Sequence, residues 1–169
     1  MDKITFREPK TSDVKSALEM INSLVEEKAY ITVQKKLTLK EERAYFKNIL
    51  KDAKKKMRID LMLDINGEVC GSAGVWLLDD GIRKHVGEIG IALKKNARGK
   101  GLGEKLFKKT MEKAIKELNV KIVTLFVYKG NKVAINLYKK MGFKKLGVIK
   151  NGVSYYGKLI DNYLMIKYI

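Results

Sequence analysis

Cysteine, histidine and proline each occur once in this chain of 169 residues, and each scarcity removes a class of protein. A lone Cys70 closes no internal disulfide, which fits a reducing compartment and leaves redox chemistry without support. With His85 the only histidine and no cluster of thiols, no metal-ligand set is expected. Pro9 lies near the start, so no proline-rich linker divides the chain, and neither does a repeat or a low-complexity tract. No stretch approaches the ~18 to 20 apolar residues of a membrane helix, and the opening MDKITFREPK lacks the apolar core of a secretion signal. The expectation is one cytoplasmic domain over residues 1–169, monomer or homodimer, with no membrane partner. Acidic residues are also few, 19 against 36 Lys and Arg, and the resulting net charge of +17 attracts anions such as nucleotides, phosphates and nucleic acid. The doublets Lys35-Lys36, Lys94-Lys95, Lys108-Lys109 and Lys139-Lys140 are widely spread, which favours a solvated lysine surface over a dedicated nucleic-acid face.

What is there is periodic. Ile4 to Glu8 reads as a strand ended by Pro9, and Thr11-Ser12-Asp13 offer N-caps to a helix through Val14, Ala17, Leu18, Ile21 and Val25. Thr38 and Glu41 have the spacing of a capping box that starts a second helix toward Ala53, with a loop over Tyr30 to Leu37 between the two. From Arg58 the period becomes two: Ile59, Leu61, Leu63 and Ile65 alternate, Asn66-Gly67 suits a tight hairpin, and Val69 to Leu78 returns. Asp79-Asp80-Gly81 turns the chain into a strand from His85 to Leu93. A helix from about Glu104 to Leu118, a buried strand from Ile122 to Tyr128, and a helix capped by Asn131 and stopped at Gly142 follow. Two strands, near Phe143 to Ile149 and Asn162 to Ile169, end the order. One helix alternating with strands between residues 85 and 150 predicts a parallel crossover, hence an α+β fold with a mixed, mostly antiparallel central sheet flanked by helices.

Between the strand ending at Leu93 and the next helix stand Arg98-Gly99-Lys100-Gly101-Leu102-Gly103. Glycines permit close approach and unusual dihedrals, and a helix start presents unpaired amides and a positive dipole, so this junction suits a pyrophosphate, with Arg98 and Lys100 adding charge. A flexible turn explains one glycine well and three alternating glycines poorly. A dinucleotide GxGxxG beginning at Gly99 would need glycine where Glu104 stands, and no P-loop pattern occurs anywhere in the chain.

Arg98, Gly101 and Gly103 resemble the R/Q-x-x-G-x-G-G/A motif of the GNAT superfamily of N-acetyltransferases, with Glu104 departing from its last small position. The run from Val127 to Phe143, with Asn131, Ala134, Leu137, Tyr138, Gly142 and Phe143, is similar to a second signature of that superfamily in the same order and spacing. The likeness is specific from about Glu88 to Phe143, and over residues 1 to 84 only the order of elements agrees. The resemblance implies the GNAT acyl-CoA N-acyltransferase fold and acetyl-CoA as co-substrate. It also implies Ile91 and Leu93 as backbone partners of the pantetheine arm, Gly99, Lys100, Gly101, Leu102 and Gly103 with Arg98 at the pyrophosphate, and Asn131 as a further coenzyme contact.

The same resemblance assigns Tyr138 as hydrogen-bond donor or acid to the departing thiolate, and Glu88, in Glu88-Ile89-Gly90-Ile91, as general base in the manner of the ribosomal-protein and polyamine branches. Each has a plainer alternative: Tyr138 as a core tyrosine, Asn131 as an N-cap, Glu88 as a strand-end carboxylate paired with a lysine. Asn131 and Tyr138 are seven residues apart, two helical turns, so one site could use both. His85 is a second candidate base, and a Cys70–His85 nucleophile pair lacks an orienting third group. The acceptor expected is a protein or peptide amine, at an N-terminus or a lysine. A small-molecule amine such as a polyamine, amino acid or antibiotic is the alternative, for which Glu26-Glu27, Glu41-Glu42 and Asp79-Asp80 could form an acidic mouth. A reading of another class is a noncatalytic basic module that binds RNA or ribosome and keeps a vestigial coenzyme site.

Overall fold

The computed structural model describes residues 2–78 and 81–169. Seven strands form one sheet: β1 Ile4–Arg7, β2 Arg58–Ile65, β3 Glu68–Leu77, β4 Val86–Leu93, β5 Ile122–Tyr128, β6 Lys144–Tyr155 and β7 Lys158–Tyr168. They lie in the order β1-β2-β3-β4-β5-β7-β6. Among the described residues four α-helices cover it: α1 Val14–Glu26, α2 Leu39–Lys54, α3 Leu102–Leu118 and α4 Lys132–Lys140. Strand alternation sorts the helices between the faces. Ile59, Leu61 and Leu63 of β2 join cores with α3, whereas Met62 between them packs with Val14, Ala17 and Met20 of α1 and Phe46 and Ile49 of α2. Ile135 and Tyr138 place α4 on the α3 side.

The feature that positions the site is a fork in the sheet. Among the described residues β4 and β5 form the one parallel pair, as the crossover predicts, and they pair at Val86–Ile122, Gly87–Val123 and Glu88–Thr124. Beyond these pairs β4 stays with β3 through Gly71–Leu93, and β5 stays with β7 through Tyr128–Asn162. Each strand follows its own long antiparallel ladder, and twist carries the two half-sheets apart. The edge of β4 from Ile89 to Leu93 is left without a partner on the β5 side.

Local signals were followed closely in several places. Thr38 accepts from the Glu41 amide at 3.3 Å while Glu41 accepts from the Thr38 amide at 2.7 Å, and Asn66 and Gly67 both take positive φ in the β2–β3 hairpin. The aspartates of the expected turn at Asp79-Asp80-Gly81 lie outside the described residues. Two expectations are corrected. Asp13 does not cap α1 with its side chain; it accepts from the Lys10 amide at 2.7 Å and from Arg7 at 2.8 and 2.9 Å, over a short 3-10 turn. The last two strands are a much longer hairpin, because Asn151-Gly152 is a bulge inside β6 and the reversal falls at Tyr156-Gly157. Tyr156 has φ 46°, an unfavourable value for an aromatic residue, and is held there by its amide on Gln34 Oε1 at 2.7 Å and its hydroxyl donating to the Val25 carbonyl at 3.2 Å.

Candidate active site

A cleft of about 590 Å³ opens where β4 and β5 part, and it runs through the sheet. On the α1/α2 side it is lined by Glu88, Trp76 and Asp60 of the strands and by Glu42 and Tyr45 of α2; from the opposite side Asn131, Ala134 and Tyr138 of α4 reach it. Phe126 of β5 also lines it and is 49% exposed, in contrast to its buried neighbours Leu125 and Val127, because its face of β5 looks into the opening.

The loop between α1 and α2 roofs this space. Tyr30 packs against Tyr128 and Tyr155 with ring centroids 5.4 and 5.2 Å apart. Tyr128 donates to the Ile31 carbonyl at 3.0 Å, Tyr155 to the Lys28 carbonyl, and Gln34 Nε2 to the Ser154 carbonyl at 2.6 Å. A side chain at Gly130 would collide with the Tyr30 hydroxyl. The β6–β7 hairpin and the α1–α2 loop are thereby clamped into one rim, which no single segment of the sequence announces.

Tyr138 is 6% exposed, with its ring 5.6 Å from Phe107 and 6.2 Å from Phe143. Its hydroxyl has no hydrogen-bond partner among the described residues, and burial pushes its pKa up to about 12. Asn131 lines the same cleft and is also the N-cap of α4, accepting from the Ala134 amide at 3.2 Å. Glu88, the last β4 residue paired to β5, is half-buried and has no cation or donor among the described residues, so desolvation holds its carboxyl above the ordinary range. The lysine pairing that was its plainer alternative is not what the fold gives it.

Sequence reasoning offered Glu42 only within the doublet Glu41-Glu42 of a possible acidic mouth and did not single it out. It forms with Phe46 and Ile49 the buried i, i+4, i+7 stripe of α2, and a glutamate within such a stripe was the available signal. Glu42 is 4% exposed, unpaired among the described residues, and its carboxyl is likewise raised by burial. The other expected acids lie apart from the cleft or are engaged: Glu26 pairs with Lys36, Glu27 with Arg98, and Asp79-Asp80 lie outside the described residues.

His85 is exposed and precedes β4, whereas the Cys70 carbonyl accepts from Lys94 just past the end of that strand. About 25 Å of strand separates them at ~3.3 Å per residue, so they form no nucleophile pair. Cys70 itself is buried in the α3 core and its thiol is raised by desolvation.

The glycine junction has the geometry of an anion cradle. Gly99 and Gly101 take φ of 73° and 72° with open space where a side chain would stand, and Gly101 begins α3 with no side-chain cap over the first-turn amides. Leu102 is a core anchor beneath it, Lys100 is exposed, and a methyl group at Gly103 would meet Leu93 only at ordinary contact distance. The Arg98 guanidinium is engaged by other partners. It donates to the Leu93 carbonyl from Nε at 2.9 Å and Nη2 at 2.7 Å and pairs with Glu27, tying the end of β4 to the end of α1. Free amides, open volume and a neighbouring unpaired strand edge together fit a pyrophosphate with an extended amide-bearing arm. Gly101→Val is expected to weaken acetyl-CoA binding at least about tenfold by straining the positive φ and filling the cradle, read by calorimetry. Equal affinity would remove the junction from the donor site.

Residues 20–143 match the model of the Acetyltransferase (GNAT) family, and the chain belongs to that family. It is 34% identical over 91 residues, 54% of its own length and 57% of the relative's, to a candidate ribosomal protein bS18-alanine N-acetyltransferase of Bacillus subtilis strain 168. It is 30% identical over 105 residues, 62% of its length and 65% of the relative's, to the L-amino acid N-acetyltransferase AaaT of Escherichia coli K12. The matched stretches thus span less than two thirds of these relatives. The fold agrees along nearly all of both chains with a GNAT-family acetyltransferase of Streptococcus pneumoniae, at TM-score 0.88 and 26% identity over 99% of each. A phosphinothricin acetyltransferase from Sinorhizobium meliloti solved with acetyl-CoA has the same fold at TM-score 0.86 and 20% identity, over 98% of this chain and 88% of that one.

Proposed function

We propose that the protein is an acetyl-CoA-dependent N-acetyltransferase in which a neutral amine attacks the acetyl thioester directly. The observation that carries this reading is the through-sheet cleft with an unpartnered Tyr138 on one side and an unpartnered Glu88 on the other. The backbone of Ile91 and Leu93 on the free edge of β4 would take up the pantetheine arm as an added strand, with an amide near Leu93 polarising the thioester carbonyl. The amides from Gly99 to Gly103 and the charge of Lys100 would hold the pyrophosphate, and the spare amide hydrogens of Asn131 would meet the coenzyme nearby.

As the N–C bond forms and the C–S bond breaks, a proton leaves nitrogen and one is needed at sulfur. Full transfer from Tyr138, at about 12, to a thiolate at ~8.5 is uphill by ~3.5 pH units, ~5 kcal/mol, so Tyr138 serves as hydrogen-bond donor to the departing sulfur, which solvent then protonates. For Glu88 the same arithmetic separates acceptors. An N-terminal amine at ~8 stands ~3.5 pH units above an ordinary glutamate and a lysine at ~10.4 stands ~6 above it, and burial of Glu88 narrows either gap. The α-amine of a protein or peptide is the favoured acceptor, with lysine next and a small-molecule amine as the alternative.

A mass-spectrometric acetylation screen over N-terminal peptides, lysine peptides, polyamines and amino acids tests this, with a thermal shift on adding acetyl-CoA as its control. A second reading rests on a groove of about 790 Å³ beside α2, where Lys15, Arg43, Lys47, Lys51 and Lys54 have no ion-pair partner among the described residues. Salt-dependent RNA affinity with no acetyl-CoA shift would replace the enzyme with a basic RNA-binding module.

A further inference from the structure

The cleft is an acidic hollow in a strongly basic molecule, and its charges can be followed one by one. Among the described residues five charged ones line it: Glu41, Glu42, Arg58, Asp60 and Glu88. Glu41 is spent on the capping box, accepting from the Thr38 amide and hydroxyl at 2.7 Å each. Arg58 is spent on Asp60, donating to both carboxylate oxygens at 2.6 and 2.9 Å, with Nη2 also 2.9 Å from Tyr45 Oη. Its plane is covered by Trp76 and Tyr45, whose ring centroids lie 5.2 and 5.6 Å from the guanidinium carbon. This leaves Glu42 and Glu88 as the uncommitted charges. Glu42 is the more telling, because it stands 4% exposed in an apolar stripe without hydrogen bond or ion pair among the described residues, an arrangement that packing alone disfavours.

A free α-amino acid carries its carboxylate two bonds from its amine. Once that amine is at Glu88, the carboxylate enters a space holding a second carboxylate and, among the described residues, no available cation. In a peptide the same position is a neutral amide, which brings no repulsion and can donate a hydrogen bond. The remaining wall, with Met20, Met62 and Ile49, suits an uncharged first side chain.

We propose that the acceptor is an α-amine whose neighbouring carbonyl is an amide, that is, the amino terminus of a peptide or protein, and that Glu42 excludes free α-amino acids. This rests on the reading of the cleft as the amine site of an acetyltransferase. Glu42 contacts the acceptor and sets specificity, and it takes no part in bond making.

The test compares L-methionine, L-methioninamide and a methionine-headed tripeptide amide as acceptors for the wild type, Glu42→Gln and Glu42→Leu. The wild type is expected to prefer methioninamide over methionine in kcat/KM by roughly 100-fold, as like-charge exclusion implies. In Glu42→Gln this ratio is expected to fall to roughly tenfold or less through KM, and comparing ratios cancels the intrinsic difference between the two amines. Glu42→Leu completes the apolar stripe, so it should raise Tm while losing the same discrimination, an outcome that a purely structural role does not produce. Equal use of methionine by the wild type, or a ratio unmoved in both variants, overturns the proposal. So does an enzyme that binds acetyl-CoA by thermal shift yet neither acetylates nor binds methioninamide or the tripeptide. Absence of acetyl-CoA binding instead overturns the acetyltransferase reading beneath it.

Discussion

Tyr138→Phe is expected to lower kcat by about 10²-fold while leaving acetyl-CoA affinity within about a factor of two, measured by steady-state kinetics and calorimetry. The hydroxyl makes no hydrogen bond within the described residues, so its removal leaves no orphaned partner, and the contacts with Phe107 and Phe143 belong to the ring. Stability should therefore hold while turnover falls. Because burial places Tyr138 at about 12, its proton is present throughout the working pH range and the wild type should show no alkaline limb from it below pH 11 or so. An unchanged rate under chemistry-limited conditions would return Tyr138 to the core.

Glu88→Gln is expected to reduce kcat/KM by roughly 10²-fold or more near neutral pH and to change the shape of its pH profile. A base works unprotonated. Desolvation raises the carboxyl of Glu88, so wild-type kcat/KM should climb with pH through a value above the ordinary glutamate range and then follow the ionisation of the amine. The glutamine variant should lose the first, acidic limb and retain the second. A profile whose acidic limb survives the substitution would assign that limb to another group and remove Glu88 as the base.

What the sequence made legible is what short stretches decide. The Thr38 capping box, the Asn66-Gly67 hairpin, the limits of β5 and the stop at Gly142 depend on neighbours within a few residues, and each was found where local chemistry put it. The parallel crossover followed from element order. The glycine-rich start of α3 was legible, yet the partners of Arg98 were not, because they are the Leu93 carbonyl and Glu27, 71 residues away in the chain. The length of the last hairpin was not legible either, because β6 continues past its bulge at Asn151-Gly152 only by pairing again with β7 from Val153, and Asp161 accepts the Asn151 amide at 3.1 Å. The tyrosine clamp joins residues 28–34 to residues 128–156, and no period or motif connects segments so distant.

Three residue pairs join the two halves of the sheet, and this short seam divides the labour of the molecule. The cradle and the free edge of β4 belong to the half built on β3, whereas the clamped rim is fastened through the half built on β7. On the function proposed above, lengthening the β6–β7 turn or exchanging the rim would redirect which amine enters while the glycine junction stays intact. A common chassis with interchangeable acceptor rims is what this division of the sheet permits.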